Sequence, residues 1–524
     1  MKQTMRQHAF ISRLKSLAVV FGMALAFASC ANEDVPLNPT KSNEDNDKNL
    51  TTFVAGGETR TSLNYNSGNF YWEKDDYIYV KDDYGILRKS TNAPTSKVAA
   101  FKYKVPGKFT ANTSYKVYYL GKNSDGTSVS ISTAQSQTAP DNTEHFGTAG
   151  DYGTATAQKV TGTNRFAFEL EHQPAYLVFQ PYTSNTILHN CYLTKVEVTS
   201  DNDIAETYTV NTSTGALTGS AGSKQIVLTT SGSSSYYNGF PLSNSSASVS
   251  TNGAYMVIKP GTHTLRVRYW VKDVATTVEG TITKIYPSTA YASNTYYDMT
   301  ADLNVRNYDG DHYYMWDAQD QYWKGHEWWS TNKDQPVLNN HSNGNYPKNN
   351  TDSRWYHEGS GAFQATQSCA GLPNVNELSW YCMNGDPRWD ADELWTTMGH
   401  LYKGGMWFKK KSVLKGESHY DVEKSADGTT DMRTTGISYT NNSSSIRNSG
   451  LPSVADAGNY FYLPALGYYD SGQLNNVGDT GIYWSSSAFP WTSYYAYYLH
   501  FNDWQVYVNY SDGRHCGFRA EALQ

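Results

Sequence analysis

The sequence predicts a mainly β protein, with two β-sandwich domains in series followed by an α+β domain. Of its 524 residues only 17% are charged and 43 are Tyr. Tyr, Thr and Val favour strands, and good helix formers are few. Of the fourteen Trp residues, Trp72 and Trp270 precede residue 310, and the other twelve lie between Trp316 and Trp504. This change in composition marks the start of a C-terminal domain of another kind, within a length that suits about three domains.

The charge balance and the motifs exclude several function classes. The chain has 42 basic and 49 acidic residues, a net charge of −7, whereas nucleic-acid-binding domains are basic. We therefore expect no nucleic acid partner. No P-loop, dinucleotide fingerprint or Ser-His-Asp order is convincing, so we expect no cofactor and no catalytic residues.

The first 29 residues have the features of a secretory leader. A basic region precedes the apolar residues 17–28, which are too few to span a bilayer, since that takes about 20 residues. The run ends in Phe27-Ala28-Ser29-Cys30, which resembles a bacterial lipobox. The resemblance implies that Cys30 becomes the lipid-bearing first residue of the mature chain. The alternative is a plain signal peptide with a chance Cys.

The residues after Cys30 indicate a position on the cell surface. Glu33 and Asp34 resemble the acidic export signal of Bacteroidetes surface lipoproteins, which implies a lipid anchor in the outer membrane with the protein outside. Residues 30–49 are rich in Asn, Asp, Lys, Pro and Ser and cannot form a core. We expect them to be a flexible tether.

Residues 50–303 resemble the fimbrillin family of Bacteroidetes. In these residues Ile78 and Val80 alternate with tyrosines as in a half-buried strand, and Asp75 stands in the preceding turn where the family has Gly. The resemblance implies two β-sandwich domains, residues 50–165 and 166–305, which pair with other fimbrial subunits by strand addition. The matching motifs are Thr59-Arg60-Thr61, residues 70–80, residues 166–179, Ile258-Lys259-Pro260-Gly261 and residues 294–299.

The same resemblance implies a maturation site. Some fimbrillins are cut after an Arg in their first strands, which exposes a groove for a partner strand. Arg60 is the early Arg of the mature chain. The alternative is that Arg60 is a strand residue that is not cut.

Residues 306–524 are predicted to form the third domain, with one helix over residues 390–402. Asp390 would cap this helix and Glu393 follows three residues later, while Leu394, Met398 and Leu401 form one apolar stripe. A single helix packed on short strands gives an α+β arrangement.

A β-hairpin is predicted over residues 494–510, with Asn502 and Asp503 as a two-residue turn. This register pairs Phe501 with Trp504 and places alternate side chains of both strands on one core face. The opposite face is polar, aromatic and uncharged.

The C-terminal strands resemble the Fibrobacter major paralogous domain and its Bacteroidetes relatives. The resemblance implies a C-type lectin-like fold, which sulfatase-modifying enzymes share. Glu521 stands where these relatives have Arg. The matching motifs are residues 461–468, 481–487 and 496–501.

Cysteines and acidic clusters do not predict a metal site. No Cys-x-x-Cys pair or suitably spaced His is present, and Asp309-Gly310-Asp311-His312 lacks the spacing of a calcium loop. Export permits a disulfide, but the sequence does not choose a pairing, and buried free thiols are the alternative. The four cysteines after Cys30 are Cys191, Cys369, Cys382 and Cys516.

Uncharged aromatic side chains are the candidate ligand contacts, because Tyr and Trp combine an apolar ring with a polar atom. Four of them lie in polar, loop-like sequence and two on the polar-aromatic face of the hairpin. The alternative is that all of them pack locally. They are Trp328, Trp329, Trp491, Tyr494, Tyr498 and Tyr507.

These features together predict a surface-exposed lipoprotein of the outer membrane that is a fimbrial tip subunit or adhesin. Its C-terminal domain would bind a glycan or a surface protein, and it would accept a partner strand without donating one. One rival is a glycan-binding lipoprotein that does not polymerise and serves nutrient capture. Another is an enzyme of the sulfatase-modifying type, although its catalytic cysteines cannot be matched to Cys369, Cys382 or Cys516.

Overall fold

A computed structural model describes residues 3–9, 49–56, 62–63, 65, 70–211, 214 and 216–524. Cys30 and Arg60, and with them the predicted lipidation and maturation sites, lie outside the described residues. The chain divides into two compact units, Met1–Trp270 with Lys284–Leu303, and Val271–Thr283 with Asn304–Gln524. The further division of the first unit into two domains stays a prediction.

The first unit is built from strands with only short helices. The helices are α1 (Phe146–Ala149) and α2 (Val249–Asn252), with a 3₁₀ turn at Leu188–Asn190. The strands are β1 (Gln3–Ala9), β2 (Leu50–Ala55), β3 (Ser62–Leu63), β4 (Phe70–Tyr71), β5 (Tyr79–Lys81), β6 (Leu87–Lys89), β7 (Phe101–Pro106), β8 (Ser114–Tyr119), β9 (Ser128–Ser130), β10 (Ala134–Ser136), β11 (Gly153–Lys159), β12 (Arg165–Phe168), β13 (Glu171–His172), β14 (Ala175–Tyr182), β15 (Cys191–Ser200), β16 (Ala205–Val210), β17 (Leu217–Ser223), β18 (Gln225–Thr229), β19 (Phe240–Pro241), β20 (Ala254–Ile258), β21 (Gly261–Asp273), β22 (Glu279–Tyr291) and β23 (Thr295–Asp302).

The first sheet encloses an aromatic core. Its strand order is β6-β5-β8-β11-β12-β2-β7, and Phe53 of β2 is completely buried. Trp72 lies in the centre of the core, with its ring 5.4 Å from Tyr103 and 5.9 Å from Tyr119. Asp75 adopts a φ of +66°, so the predicted turn before β5 is present.

Among the described residues, β1 covers one edge of another sheet of this unit. Its strand order is β1-β23-β14-β20. β14 and β23 run parallel, and β1 pairs antiparallel with residues 295–301 of β23. β14 lies between β23 and β20, and all but its last residue are buried. β23 therefore depends on residues 3–9 for hydrogen bonding along its outer edge.

The second unit combines strands with one helix of three turns. Its helices are α3 (Val375–Asn384), α4 (Lys411–Gly416) and α5 (Ser445–Asn448), with a 3₁₀ turn at Ala457–Asn459. Its strands are β24 (Asn307–Tyr308), β25 (Tyr313–Tyr314), β26 (Arg388–Thr397), β27 (His400–Lys409), β28 (Tyr439–Asn441), β29 (Tyr460–Pro464), β30 (Tyr468–Asp470), β31 (Gln473–Asn475), β32 (Gly481–Ala488), β33 (Ala496–Phe501), β34 (Val506–Asn509) and β35 (Phe518–Arg519).

Two sheets and a hairpin organise this unit. The larger sheet has the order β25-β35-β32-β33-β34-β28, and β26, β27 and β29 pair consecutively in the other. The carboxylate of Glu393 accepts hydrogen bonds from Thr283 N (3.0 Å) and Thr283 Oγ1 (2.6 Å), so the 271–283 segment is tied to β26. β30 and β31 form a separate hairpin.

The helix predicted over residues 390–402 is wrong. These residues form the β26–β27 hairpin, in which Thr397 pairs with His400. Met398 and Gly399 make the turn with φ of +48° and +79°, a geometry that the Gly favours. The apolar spacing that suggested one helical face instead places buried side chains on two paired strands.

The helix that does form, α3, begins fifteen residues earlier in the chain. Asn374 accepts a hydrogen bond from Glu377 N (3.0 Å), and the Glu377 carboxylate accepts one from Asn374 N (2.8 Å). This reciprocal pair is a capping box. Val375, Leu378 and Cys382 of α3 are buried against the larger sheet.

The described residues confirm the predicted mainly β class. Among them, no helix has both the length and the apolar character needed to cross a bilayer.

Candidate functional site

The predicted hairpin forms with a register two residues away from the expected one. Phe501 pairs with Val506 rather than with Trp504. The Asn502 side chain accepts hydrogen bonds from the backbone of Trp504 (3.2 Å) and Gln505 (3.1 Å), which closes a four-residue turn. A shift of two keeps every strand side chain on its predicted face, but it moves Trp504 out of the core, where it is 50% exposed.

The face expected to be polar and open is covered. All residues of β33 are buried, including Tyr498 at 0% exposure. The Phe518 ring lies 5.2 Å from Tyr498 and 4.4 Å from Trp484. Tyr507 is half-buried and stacks on His500 at 4.1 Å. Tyr498 and Tyr507 therefore belong mainly to the packing of this sheet.

Two other candidates form an exposed aromatic loop between β32 and β33. Trp491 is 66% exposed and Tyr494 is 59% exposed. The backbone of Tyr494 is held at both polar groups, since its N–H donates to Thr492 Oγ1 (2.9 Å) and its carbonyl accepts from Arg514 N (3.0 Å). The Trp491 ring lies 5.5 Å from that of Phe489. A fixed backbone that presents open rings suits stacking on a flat ligand.

Trp328 and Trp329 occupy a different loop. Trp329 is half exposed, while Trp328 is partly buried and lies over Gly399 in the turn of the β26–β27 hairpin. Their rings meet edge to face at 5.8 Å. The Trp328 backbone N–H donates to Gln335 Oε1 (3.1 Å). Trp329 is thus accessible and Trp328 supports it.

The structure also contains a cleft that the sequence did not indicate. Its volume is about 1010 Å³, and five separate segments of the second unit line it. Trp389 and Tyr402 supply aromatic surface, and Asn476, Asp479 and Asn502 supply polar groups. Because these residues are far apart in the chain, only the packing of the strands reveals the combination. Aromatic surface beside amides and a carboxylate suits a hydroxylated ligand.

All four cysteines in the described residues are buried thiols outside any disulfide. No disulfide forms there, so the buried-thiol alternative holds for this structure. Burial raises the pKa of the Cys369 and Cys382 thiols to about 12. Burial also raises the pKa of the Cys516 thiol, so none of these three residues is a thiolate unless a positive charge lies beside it.

Two clusters of side chains in the second unit have metal-ligand chemistry, Asp309 with Asp311 and His312, and Asp470 with His515 and Cys516. In the first cluster, His312 Nδ1 already lies 2.7 Å from Asp309 Oδ1 and 3.2 Å from Asp311 Oδ1. The buried guanidinium of Arg519 donates to the Asp309 carbonyl (2.8 Å). The positive charge of Arg519 would repel a metal ion at this position.

Arg519 also gives Glu521 a structural role. Arg519 is completely buried, stacks 4.8 Å from the centre of the Tyr313 ring and forms an ion pair with Glu521. Glu521 thus neutralises a cation that would otherwise be buried with only partial compensation.

No protein-family model and no curated protein matches the chain. Solved structures that resemble it include a candidate cell adhesion protein from Bacteroides ovatus, with 14% identity and a TM-score of 0.29 over 49% of this chain and 93% of that one. A fimbrial protein from Bacteroides ovatus has 11% identity and a TM-score of 0.23 over 90% and 98%. The fimbrial anchor protein Mfa2 from Porphyromonas gingivalis has 13% identity and a TM-score of 0.21 over 45% and 82%. Similarity at this level assigns no function to the chain.

His500 makes the stability of the second unit depend on pH. Burial lowers the pKa of His500 to about 4 from 6.5. The unfolded chain therefore takes up the proton first, so the free energy of unfolding falls as the pH drops from 6.5 towards 4 and levels off below that. His500→Phe, which retains a ring beside Tyr507, should reduce this slope by roughly 1.4 kcal/mol per pH unit in that window.

The slope is obtained from urea unfolding curves recorded at several pH values between 4 and 7. Tryptophan fluorescence follows the unfolding of the second unit, because twelve of the fourteen Trp residues lie there. His341→Gln, at an exposed position, is the control. If the free energy of unfolding of His500→Phe depends on pH as strongly as that of the parent chain, His500 is not the cause of the pH dependence.

Proposed function

We propose that this chain is a surface lipoprotein that forms the end of a fimbrium or acts as a surface adhesin, with its ligand bound by residues 306–524. The observation that carries the proposal is the outer edge of β23, which pairs with residues 3–9 in the part of the chain that the structure describes. Those residues precede Cys30 and belong to the predicted leader.

Removal of the leader would leave β23 with unpaired backbone groups. The inner edge of β23 pairs with β14 along eight residues, so this strand is firmly held in the sheet. An open edge of a well-supported strand is the geometry that accepts an extended segment from another chain. A partner strand running antiparallel to residues 295–301 would take the place of β1.

Cleavage after Arg60 would provide a second acceptor. Residues 30–60 would then leave together with β2, which lies between β12 and β7 in the first sheet. Phe53 of β2 is completely buried, stacks on Phe166 at 5.1 Å and would vacate part of the core. Loss of the buried Phe53 ring would leave a cavity that destabilises the cut chain, unless a partner strand supplies an apolar side chain in its place.

The second unit offers no loose strand for donation within its described residues. β35 pairs with both β25 and β32. The Gln524 carbonyl accepts hydrogen bonds from Lys411 N (3.0 Å) and Tyr381 Oη (3.1 Å). These ties support a subunit that accepts a strand and does not donate one, which is the requirement for a terminal position.

The ligand surface that we favour is the loop with Trp491 and Tyr494. Both rings are open to solvent, while the backbone of Tyr494 is held by hydrogen bonds and the Trp491 ring rests against Phe489, so binding would order little that is not already ordered. The chemistry suits a glycan, whose ring faces stack on aromatic side chains. The cleft beside Trp389 favours the rival function of glycan capture without polymerisation, and the state of assembly distinguishes the two.

Lipidation at Cys30 predicts both the location and the N-terminus of the protein. Protease added to intact cells should degrade it, and mass spectrometry should find an acylated N-terminal Cys30. Cys30→Ser should leave the precursor uncleaved, whereas Ser29→Ala should be processed normally. Protection until the cells are lysed would rule out surface display. A start at Thr61 would instead show cleavage after Arg60.

The β23 edge predicts a difference in hydrogen exchange. In the chain without residues 1–29, those amides of residues 295–301 that point towards residues 3–9 should exchange faster than in the chain that retains them, because the edge loses its partner. Residues 175–182 of the interior strand β14 are the internal control and should stay protected. The leaderless chain should remain monomeric by size-exclusion chromatography with light scattering. Homopolymers, or immunogold labelling along a fimbrial shaft, would contradict the terminal position.

The aromatic loop predicts where the ligand binds. The double substitution Trp491→Ala and Tyr494→Ala should reduce glycan-array binding by at least about tenfold, since each aromatic contact contributes about 1 kcal/mol. Trp504→Ala is the matched control, because Trp504 is also half exposed but lies in a different turn. Equal loss in both variants, or none in the double variant, would place the ligand elsewhere, and a loss in Trp389→Ala would assign it to the cleft.

A further inference from the structure

Asp470, His515 and Cys516 bring three different metal-ligand groups together. One carboxylate oxygen, one imidazole nitrogen and the thiol sulfur lie within 4.8 Å of one another. The ligands come from two segments, the end of β30 and the loop that precedes β35. Because 45 residues separate Asp470 from His515, ligand spacing in the sequence does not reveal this group.

The backbone fixes the two segments against each other. Tyr469 N donates to the Gly517 carbonyl (2.9 Å), and Gly517 N donates to the Tyr469 carbonyl (2.8 Å). In an antiparallel pair, the residue after one partner lies opposite the residue before the other. Asp470 is therefore opposite Cys516, and their side chains leave the same face.

A tight turn positions the third ligand. Cys516 N donates to the Gly513 carbonyl (3.0 Å), so residues 513–516 form a closed turn. The His515 ring folds back over Gly513, where any Cβ would overlap it. The glycine thus leaves the space that the imidazole occupies, beside the thiol of the next residue.

The site has an open side and a closed side. Cys516 is 7% exposed, His515 is half-buried and Asp470 is exposed. Tetrahedral zinc with these ligands needs donor atoms about 3.4–3.8 Å apart, which follows from bond lengths of about 2.0–2.3 Å. Rotation of the exposed Asp470 side chain would bring its carboxylate to that distance, while the buried thiol would stay in place.

We propose that Asp470, His515 and Cys516 bind a zinc ion. Thiolate, imidazole and carboxylate are the ligands that zinc takes in proteins, whereas calcium and magnesium take oxygen ligands. Three protein ligands leave a fourth position for water or for a group on a ligand. Binding replaces the S–H bond of Cys516 with an S–Zn bond and releases the proton to solvent.

The other cluster, with Asp309, Asp311 and His312, differs in chemistry. It has no thiol, its imidazole already contacts both carboxylates, and Arg519 lies 3.6 Å from Asp309 Oδ1. It therefore serves as an internal comparison for the proposed site.

The test uses the chain without residues 1–29, carrying Cys30→Ser, without a histidine tag and kept reduced. Calorimetry with Zn²⁺ should show one equivalent bound, and Co²⁺ should produce a sulfur-to-cobalt charge-transfer band in the near ultraviolet. Cys516→Ser should abolish that band and weaken Zn²⁺ binding by at least about 100-fold, since even supporting residues around a metal contribute 10–100-fold.

Asp470→Asn keeps the test decisive if the buried Cys516 variant does not fold, because residue 470 is exposed and the change is nearly isosteric. It should weaken Zn²⁺ binding by at least about tenfold and leave the near-ultraviolet circular dichroism unchanged. Cys369→Ser, another buried free thiol, and His312→Ala, in the comparison cluster, should bind Zn²⁺ like the parent chain. Absence of binding in the parent chain, a band that survives Cys516→Ser, or a disulfide at Cys516 in protein taken from cells would overturn the proposal.

Discussion

The second unit depends on β33, a strand that is buried on both faces. Tyr497, Leu499 and Phe501 pack on one side with α3 and β29, and Tyr498 packs on the other side with Trp484. Complete burial of one large apolar side chain stabilises the folded state by about 1.5–3 kcal/mol. The buried residues of this strand together therefore stabilise the unit more than the conformational preferences of the neighbouring loops do. Three exposed aromatic side chains flank this strand, Trp491 and Tyr494 before β33 and Trp504 after it.

The proposed metal site and the proposed strand-accepting edge both lie where the pairing of strands ends. The Tyr469–Gly517 bridge places a carboxylate opposite a thiol just beyond the last hydrogen bonds. In the first unit, β23 has a fully paired inner edge and an outer edge that relies on residues 3–9. Loops and sheet edges can bind partners because the interior strands already provide the buried core and the backbone hydrogen bonds that hold the fold together.

Local patterns predicted well whatever depends on near neighbours in the chain. Asp75 takes the positive φ that its turn requires, and the alternating faces of residues 496–509 are as expected. The register was not predictable, because a shift of two residues preserves both faces and only the Asn502 side chain selects the longer turn. The burial of Tyr498 was also not predictable, because the residues that cover it, Trp484 and Phe518, belong to other strands.

The sequence by itself determined the mainly β class, through its Tyr-rich and weakly charged composition, and it located the compositional boundary before the second unit. Tertiary structure decided that residues 388–409 form a hairpin, since the same apolar spacing satisfies a helix and the pairing of β27 with β29 favours strands. It also decided which side chains meet, as Asp470 does with Cys516. The physical reason is that side-chain periodicity is a local property, whereas pairing between distant segments depends on the burial and hydrogen bonding of the whole unit.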